Sequence, residues 1–408
     1  MNQAGLFRVM YFDHTALLGG GEIALLNLVR KLDRELVYPV MVLCSDGPLA
    51  EALRPIAEVH IVELSGAIRQ AAKDGLGLKT FLKMGQVFKT ALYIKMLRRF
   101  MCEHRIDIVH TNSLKADIIG GIAARLAGIP VIWHVRDRIA GDYLPGPVVK
   151  IFRFLAKWIP TFVIANSAAT MQTLCLPEVS VKEKESRAVI HDGTRLLPEI
   201  VDRPIDGLLQ VGLIGRICPW KGQDIFIQAV ARVKRSFPNA RFKIIGAALF
   251  GEQEFESRIR ALCTQLGLED VVEFAGFCPD ISLVLRDLDL VVHASTSGEP
   301  FGQVIIEGMA AGKAVVATNG GGVPEIVVHN ETGLLVPMGD VVEMADAICQ
   351  LLGNRDQRLH MGRKGRERVQ NYFTLERTVA HVESVYSTIA TQAQFSGSSL
   401  PAHQPLSV

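Results

Sequence analysis

What most constrains this chain is a series of short apolar, β-branched runs set between longer amphipathic segments. Leu6–Phe12, Pro39–Leu43, His60–Leu64, Ile106–Val109, Val131–Val135, Phe162–Ala165 and Ala188–Ile190 form a first set. Leu208–Ile214, Phe242–Ile245, Val271–Phe274, Leu288–Val292, Ala314–Ala317 and Gly333–Val336 form a second. A continuously apolar run leaves no face for water, so each reads as a strand of a parallel sheet covered on both sides by helices. Two sets imply an α/β chain with two doubly wound, Rossmann-like domains. The polar stretch 196–207, with Pro198 and Pro204, reads as a linker between domains at 1–195 and 208–374. A last helix is expected over 375–390. The Gln-, Ser-, Gly- and Pro-rich tail, 391–408, is expected to be disordered.

Composition narrows the class. With 49% hydrophobic and 21% charged residues in 408, the chain can bury a large core without staples, which excludes a fibre or a mostly disordered protein. A net charge of +2 announces no field for nucleic acid, and no nucleic-acid partner is expected. The halves differ: residues 1–198 carry 25 Lys and Arg against 18 Asp and Glu, residues 199–408 carry 19 against 24. Such an asymmetry suits domains with different partners. The seven cysteines show no metal-ligand or CxxC spacing and read as reduced thiols. There is no signal-peptide pattern, and the uncharged stretch 158–177 is too polar to span a bilayer well. A cytoplasmic location is expected.

Ligands of open α/β sheets bind beyond the carboxyl ends of strands. Polar residues gather there: Asp13 and His14, His110, His134 with Arg136 and Asp137, Arg216, and His293 with Ser295. After the strand ending at His293 comes Glu299-Pro-Phe-Gly-Gln-Val-Ile-Ile-Glu307. A helix beginning near Gly302 would offer the backbone N–H groups of Phe301, Gly302, Gln303 and Val304 to an anion, with Glu299 and Glu307 reaching other parts of the same ligand. The plain alternative is a solvated helix start with two surface carboxylates. In Val211-Gly-Leu-Ile-Gly-Arg216…Lys221-Gly222, a strand runs through a glycine turn to two cations. An Arg can fork onto phosphate oxygens and a Lys can serve as a point charge; alone they read more often as surface charges, and pairing with the helix start above reverses that. Gly19, Gly20 and Gly21 before an amphipathic helix fit a phosphate-cradling turn or a simple helix cap.

In this order and at these intervals, Gly19-Gly-Gly-Glu22, Gly215-Arg216…Lys221-Gly222, Glu299-Pro-Phe-Gly…Glu307 and Gly320-Gly-Gly-Val-Pro-Glu325 resemble the retaining nucleotide-sugar glycosyltransferases of the GT-B fold, specifically glycosyltransferase family 4. The resemblance covers about 5–390 and is most specific at Glu299…Glu307, which matches the family's Glu-x7-Glu motif. It implies two Rossmann-like domains facing each other across a cleft. It further implies that Arg216 and Lys221 hold the donor's diphosphate, Glu299 the transferred sugar, Glu307 the ribose hydroxyls, and the amides at Gly302–Val304 a phosphate or sugar oxygen. Gly276 and Phe277 would flank the base, His134 would stand near the sugar, and Gly19–Gly21 would line the junction of donor and acceptor.

The expected activity is transfer of a hexosyl unit from a nucleotide-diphospho-sugar to a glycan or lipid-linked acceptor, in bacterial envelope or exopolysaccharide assembly. Two cations and a helix dipole would oppose the charge of the leaving diphosphate, so no metal or other cofactor is expected. Asp287-Leu-Asp289 spells a metal-binding Asp-x-Asp but runs straight into a strand, and reads as accidental. Rival readings are a GT-B sugar-nucleotide epimerase and a non-catalytic nucleotide-sugar-binding protein. Two basic segments, 73–105 and 147–160, interleave Lys and Arg with Phe, Leu, Met, Ile and Trp. They read either as core helices with solvated lysines or as a peripheral contact with an anionic membrane, on the cytoplasmic face of the inner membrane.

Overall fold

A computed structural model describes residues 6–63, 84–176, 186–197, 208–249 and 251–395. The basic residues at 73–83, most of the expected linker (198–207) and the tail from 396 lie outside them. The chain divides into two compact units, residues 1–192 with 375–408, and residues 193–374.

The first unit holds a seven-stranded, wholly parallel sheet. Its strands are β1 (Phe7–Asp13), β2 (Val37–Leu43), β3 (Glu58–Ile61), β4 (Ile108–Thr111), β5 (Val131–Val135), β6 (Phe162–Ala165) and β7 (Arg187–Val189), in the order β3-β2-β1-β4-β5-β6-β7. β1 pairs Phe7–Asp13 with Val37–Leu43 on one side and Val9–Phe12 with Ile108–Thr111 on the other. Its Val9, Met10, Tyr11 and Phe12 are fully buried, as a strand covered on both faces must be. β3 lies two residues earlier than the apolar run suggested. As an edge strand with one neighbour it stays half-buried and tolerates the polar Glu58 and His60.

The second unit holds six parallel strands: β8 (Gln210–Ile214), β9 (Arg241–Ile245), β10 (Val272–Gly276), β11 (Leu290–His293), β12 (Ala314–Thr318) and β13 (Leu334–Val336), in the order β10-β9-β8-β11-β12-β13. Two apolar clusters cover its two faces.

The last helix corrects the sequence reading twice. It runs Leu375–Phe395, so 391–395 are helical rather than tail. It also belongs to the first unit: Leu375, Val379, Val382, Val385, Tyr386 and Ile389 are buried in one cluster with Tyr11, Leu25 and Met41. Lys31 pairs with Glu376, and the Asp33 N–H donates to Glu383. The unit boundary falls at Asp192/Gly193, just before the expected linker.

Candidate functional site

Each sheet reverses its strand order beside its first strand, between β1 and β4 in one unit and between β8 and β11 in the other. At such a point the connections diverge to opposite faces and leave a crevice at the carboxyl ends. Polar residues collect at both points.

In the second unit, β8 leads through Arg216 and a short turn, Pro219–Lys221, into the helix Gln223–Ser236. The Thr296 N–H, in the loop after β11, donates to the Trp220 carbonyl at 2.9 Å and joins the two loops. Gly222 makes the approach possible: at φ 68° its absent Cβ would stand 2.0 Å from the Ala294 carbonyl oxygen. Lys221 Nζ thereby donates to both carboxylate oxygens of Glu299, at 2.9 Å each. Glu299 Oε2 also accepts from Ser295 Oγ at 2.8 Å and lies 3.1 Å from His293 Nε2. Thr318 Oγ1 meets His293 Nδ1 at 3.2 Å. The Glu299 backbone is gripped in turn. Its carbonyl accepts the Gly322 N–H at 2.8 Å, and a Cβ at Gly321 would lie 2.0 Å from that carbonyl oxygen. Burial opposes charge on Glu299, but the Lys221 ammonium and the His293 and Lys221 hydrogen bonds outweigh it and hold the carboxyl well below the usual range. Since an ionised carboxylate only accepts, the His293 proton on this side sits on Nε2.

The helix foreseen near Gly302 runs Gln303–Ala310 with Gly302 as its N-cap residue. The geometry of any helix leaves its first N–H groups, here at Gln303 and Val304, without intrahelical partners. Phe301, expected to offer its backbone N–H, turns its side chain into the core. Its side chain is 2% exposed and packs on Phe373, with ring centroids 6.0 Å apart, so it is core. Gln303 Nε2 donates to Glu307 Oε1 at 3.3 Å, while its buried Oε1 has no partner. Burial pushes the Glu307 carboxyl up to about 7, with the Gln303 hydrogen bond opposing. Arg216 is half-buried, its guanidinium 5.9 Å from the Trp220 ring centroid, with Lys221 Nζ 4.3 Å from the same ring. Gly276 closes β10 at the same sheet edge, followed by the exposed Phe277.

In the first unit, Gly19 is the N-cap residue of the helix Gly20–Lys31, of which Gly20 and Gly21 form the first turn. The Gly19 N–H donates to Glu22 Oε2 at 3.1 Å. Burial, reinforced by Asp13, raises the Glu22 carboxyl to about 8. The Gly21 carbonyl accepts from Asn112 Nδ2 at 3.2 Å, and Asn112 also donates to Asp13 at 2.8 Å. Ser113 Oγ donates to the other Asp13 oxygen at 3.0 Å. Arg136 donates through Nε to Asn112 Oδ1 at 2.9 Å and forms a buried ion pair with Asp192. His134 has no exposed surface. Its Nδ1 lies 3.0 Å from His110 Nε2 and 3.3 Å from Arg136 Nη2, and its Nε2 has no partner. His110 Nδ1 meets the Tyr386 hydroxyl at 2.8 Å, which meets the Tyr11 hydroxyl at 2.7 Å. Burial first, and Arg136 second, push His110 down to about 3 and His134 well below the usual range, so both rings are neutral.

Ser295 stands at a strand end as expected; Asn112 and Ser113 stand at another and were findable by the same rule. Asp192, Tyr11 and Tyr386 carried no local signal. Asp289 accepts the Gln210 N–H at 2.8 Å, a backbone role. Among the described residues one group brings three possible metal ligands within 4.8 Å: Glu58, His60 and His104. Arg8 already pairs with that Glu58 at 3.3 Å, which opposes a cation there. In the basic segments, Tyr93, Leu97, Met101, Val149 and Phe152 are core, whereas Val87, Phe88, Leu92, Met96, Ile151, Phe154 and Trp158 are exposed beside Lys89, Lys95, Lys150 and Lys157. No helix among the described residues is long and apolar enough to cross a membrane.

Comparison with known proteins bears on both units. Residues 203–368 match the family described as "Glycosyl transferases group 1", and residues 18–178 match "Glycosyltransferase Family 4". The chain is 36% identical over 298 residues to the GDP-mannose-dependent alpha-(1-6)-phosphatidylinositol monomannoside mannosyltransferase of Mycobacterium tuberculosis, covering 66% of this chain and 73% of that one. It is 28% identical over 227 residues to the lipopolysaccharide core biosynthesis mannosyltransferase LpcC of Rhizobium leguminosarum bv. viciae, covering 56% of this chain and 64% of that protein's length. The solved structure of Anabaena Alr3699/HepE in complex with UDP and glucose superposes with a TM-score of 0.77 at 26% identity, covering 93% of this chain and 99% of that one.

Proposed function

The chain belongs to glycosyltransferase family 4, with two parallel-sheet Rossmann-like units of the GT-B type, and from that premise we propose that it is a retaining hexosyltransferase. It moves a sugar from a nucleotide-diphospho-sugar to a glycan or lipid-linked acceptor in bacterial envelope or exopolysaccharide assembly. The observation that carries this reading is the Lys221–Glu299 pair, locked by Ser295 and His293 at the β8/β11 reversal beside the start of the helix Gln303–Ala310.

An ammonium has three donors, so Lys221 can keep Glu299 and still meet a diphosphate oxygen. Arg216 adds a second cation, and the first amides of the helix add donors aimed along its dipole. Glu299, fixed as a carboxylate, accepts from sugar hydroxyls, and Glu307 accepts from the ribose diol. Gly276 and Phe277 flank the base. At the strand edge of the other unit, Gly19–Gly21 and His134 meet substrate oxygens. In the transfer, the bond from the anomeric carbon to the diphosphate oxygen breaks and the acceptor oxygen bonds the same face of that carbon. The acceptor's proton passes to the departing phosphate oxygen. The cations and the helix dipole stabilise the leaving charge, which leaves no step that requires a metal. The names of the relatives, with GDP-mannose in one and UDP with glucose in another, support a nucleotide-sugar donor. The exposed apolar residues beside lysines on the helices Met84–Glu103 and Gly146–Leu155 support peripheral contact with an anionic bilayer.

The test is a product assay with the purified chain, metal chelator, GDP-mannose or UDP-glucose, and a membrane-extract acceptor. Transfer with retained anomeric configuration is expected. Release of a free epimer would favour the epimerase, and binding without turnover would favour the non-catalytic protein.

A further inference from the structure

The buried chain of hydroxyls and imidazoles in the first unit has a direction. Arg136 Nη2 can only donate, and it faces His134 Nδ1 at 3.3 Å. His134 Nδ1 is therefore the accepting nitrogen, and the proton of this neutral ring sits on Nε2. His110 Nε2, 3.0 Å from the same Nδ1, must then be a donor as well. With its proton on Nε2, His110 has a bare Nδ1, which accepts from the Tyr386 hydroxyl at 2.8 Å. Tyr386, having donated, accepts from the Tyr11 hydroxyl at 2.7 Å. Every hydrogen bond in the chain points toward His134, and every side chain in it is fully buried apart from the 8% exposed Arg136. The far end, His134 Nε2, has no partner. A buried N–H left open costs free energy unless something completes it.

We infer that Tyr386 is a positioning residue: acting through His110, its hydroxyl holds His134 with the proton on Nε2, so that His134 meets its ligand as a hydrogen-bond donor and not as a base. The matching ligand group is an oxygen with a free lone pair, such as a sugar hydroxyl or a phosphate oxygen. This deepens the proposed function and rests on the reading of His134 as a substrate contact. The groups packed around the two rings are consistent with it. Arg136, held by Asp192 and Asn112, faces His134; Tyr386 and Tyr11 face His110; no carboxylate hydrogen-bonds either ring among the described residues. Burial first, and the nearby Arg136 charge second, oppose a proton gained by His134.

The test uses the full chain with 15N-labelled histidine and long-range proton–nitrogen correlation of the imidazoles, which reads the tautomer of each ring. His110→Gln and His134→Gln assign the signals. The wild type is expected to show a bare Nδ1 and a protonated Nε2 at both rings. Tyr386→Phe removes the only atom it changes, the donor to His110. It is expected to redistribute the His110 proton and lower the Nε2-protonated fraction of His134, and to lower kcat/KM for transfer about five- to tenfold. Tyr11→Phe leaves the Tyr386 donor in place and is expected to leave both ring signals unmoved, which a merely structural role would not predict. A bare Nε2 at His134 in the wild type, or a Tyr386→Phe spectrum identical to the wild type, overturns the inference. The tautomer arm needs no substrate, so it stands or falls separately from the proposed function, which fails if no nucleotide sugar binds.

Discussion

If Glu307 binds the ribose diol as a carboxylate, nucleotide-sugar affinity must depend on pH through this one residue. Burial raises its carboxyl from the ordinary glutamate value to about 7, against the single opposing hydrogen bond from Gln303. In the ligand-free protein Glu307 is thus largely protonated below that pH. Two diol hydroxyls donate best to the ionised form, so binding expels the proton and affinity rises with pH until the group is ionised without help. Below the pKa the dissociation constant should change about tenfold per pH unit, giving roughly thirtyfold weaker binding at pH 5.5 than at pH 8.5. The assay is calorimetric titration with an intact nucleotide sugar, whose esterified diphosphate does not titrate in this range. Free UDP or GDP, with a terminal phosphate that does, is avoided. Glu307→Gln should flatten the profile and hold affinity near the wild type's acidic limit. A wild-type profile flat from pH 5.5 to 8.5, or a slope that survives in Glu307→Gln, would refute the assignment.

Lys221→Met strips the counter-charge from the buried Glu299 and should cost about 3 kcal/mol, roughly a 10 °C lower Tm, besides abolishing transfer; Glu299→Gln should abolish transfer at a smaller stability cost. Because the folded Glu299 pKa is depressed, its contribution is present above the unfolded value of about 4.3 and drains away as pH falls below it. Acid melts of the wild type should therefore converge on those of Glu299→Gln. Gly222→Ala drives a methyl group onto the Ala294 carbonyl, so it should weaken donor binding at least about tenfold by displacing Lys221, with a stability loss of about 1–3 kcal/mol; unchanged calorimetry would show the loops free to part. Flotation with anionic liposomes should capture the chain, fall with salt, and drop for Phe154→Ser with Trp158→Ser; capture by neutral liposomes at equal strength would remove the electrostatic part of that reading.

The letters disclosed the second unit far better than the first, and the reason is physical. Lys221, His293, Ser295, Glu299 and Glu307 lie within one βα unit and its neighbour, where the strand–loop–helix geometry converts sequence spacing into position. The glycines that close those loops are visible as letters, because no other residue fits at Gly222 or Gly321. In the first unit Tyr11, His110, His134, Arg136, Asp192 and Tyr386 meet from five separate segments. Tyr386 in particular reads as one more apolar position of an amphipathic helix, and only the return of that helix to the first sheet brings its hydroxyl to His110.

A strand-end histidine is also ambiguous in a way that spacing cannot resolve. An exposed imidazole titrates near neutrality and serves as a base, whereas a buried one is neutral and its role depends on which nitrogen keeps the proton. That choice is made by an arginine two residues along the chain and, through a second histidine, by a tyrosine 276 residues from it. The same logic separates the two carboxylates of the other unit. Glu299 and Glu307 are eight residues apart in one motif, yet the ammonium beside the first holds it ionised and the lone amide beside the second leaves it near neutrality. Residue identity therefore names the candidates at both sheet reversals, but neighbours brought in by the fold decide which groups are charged, which donate and which accept.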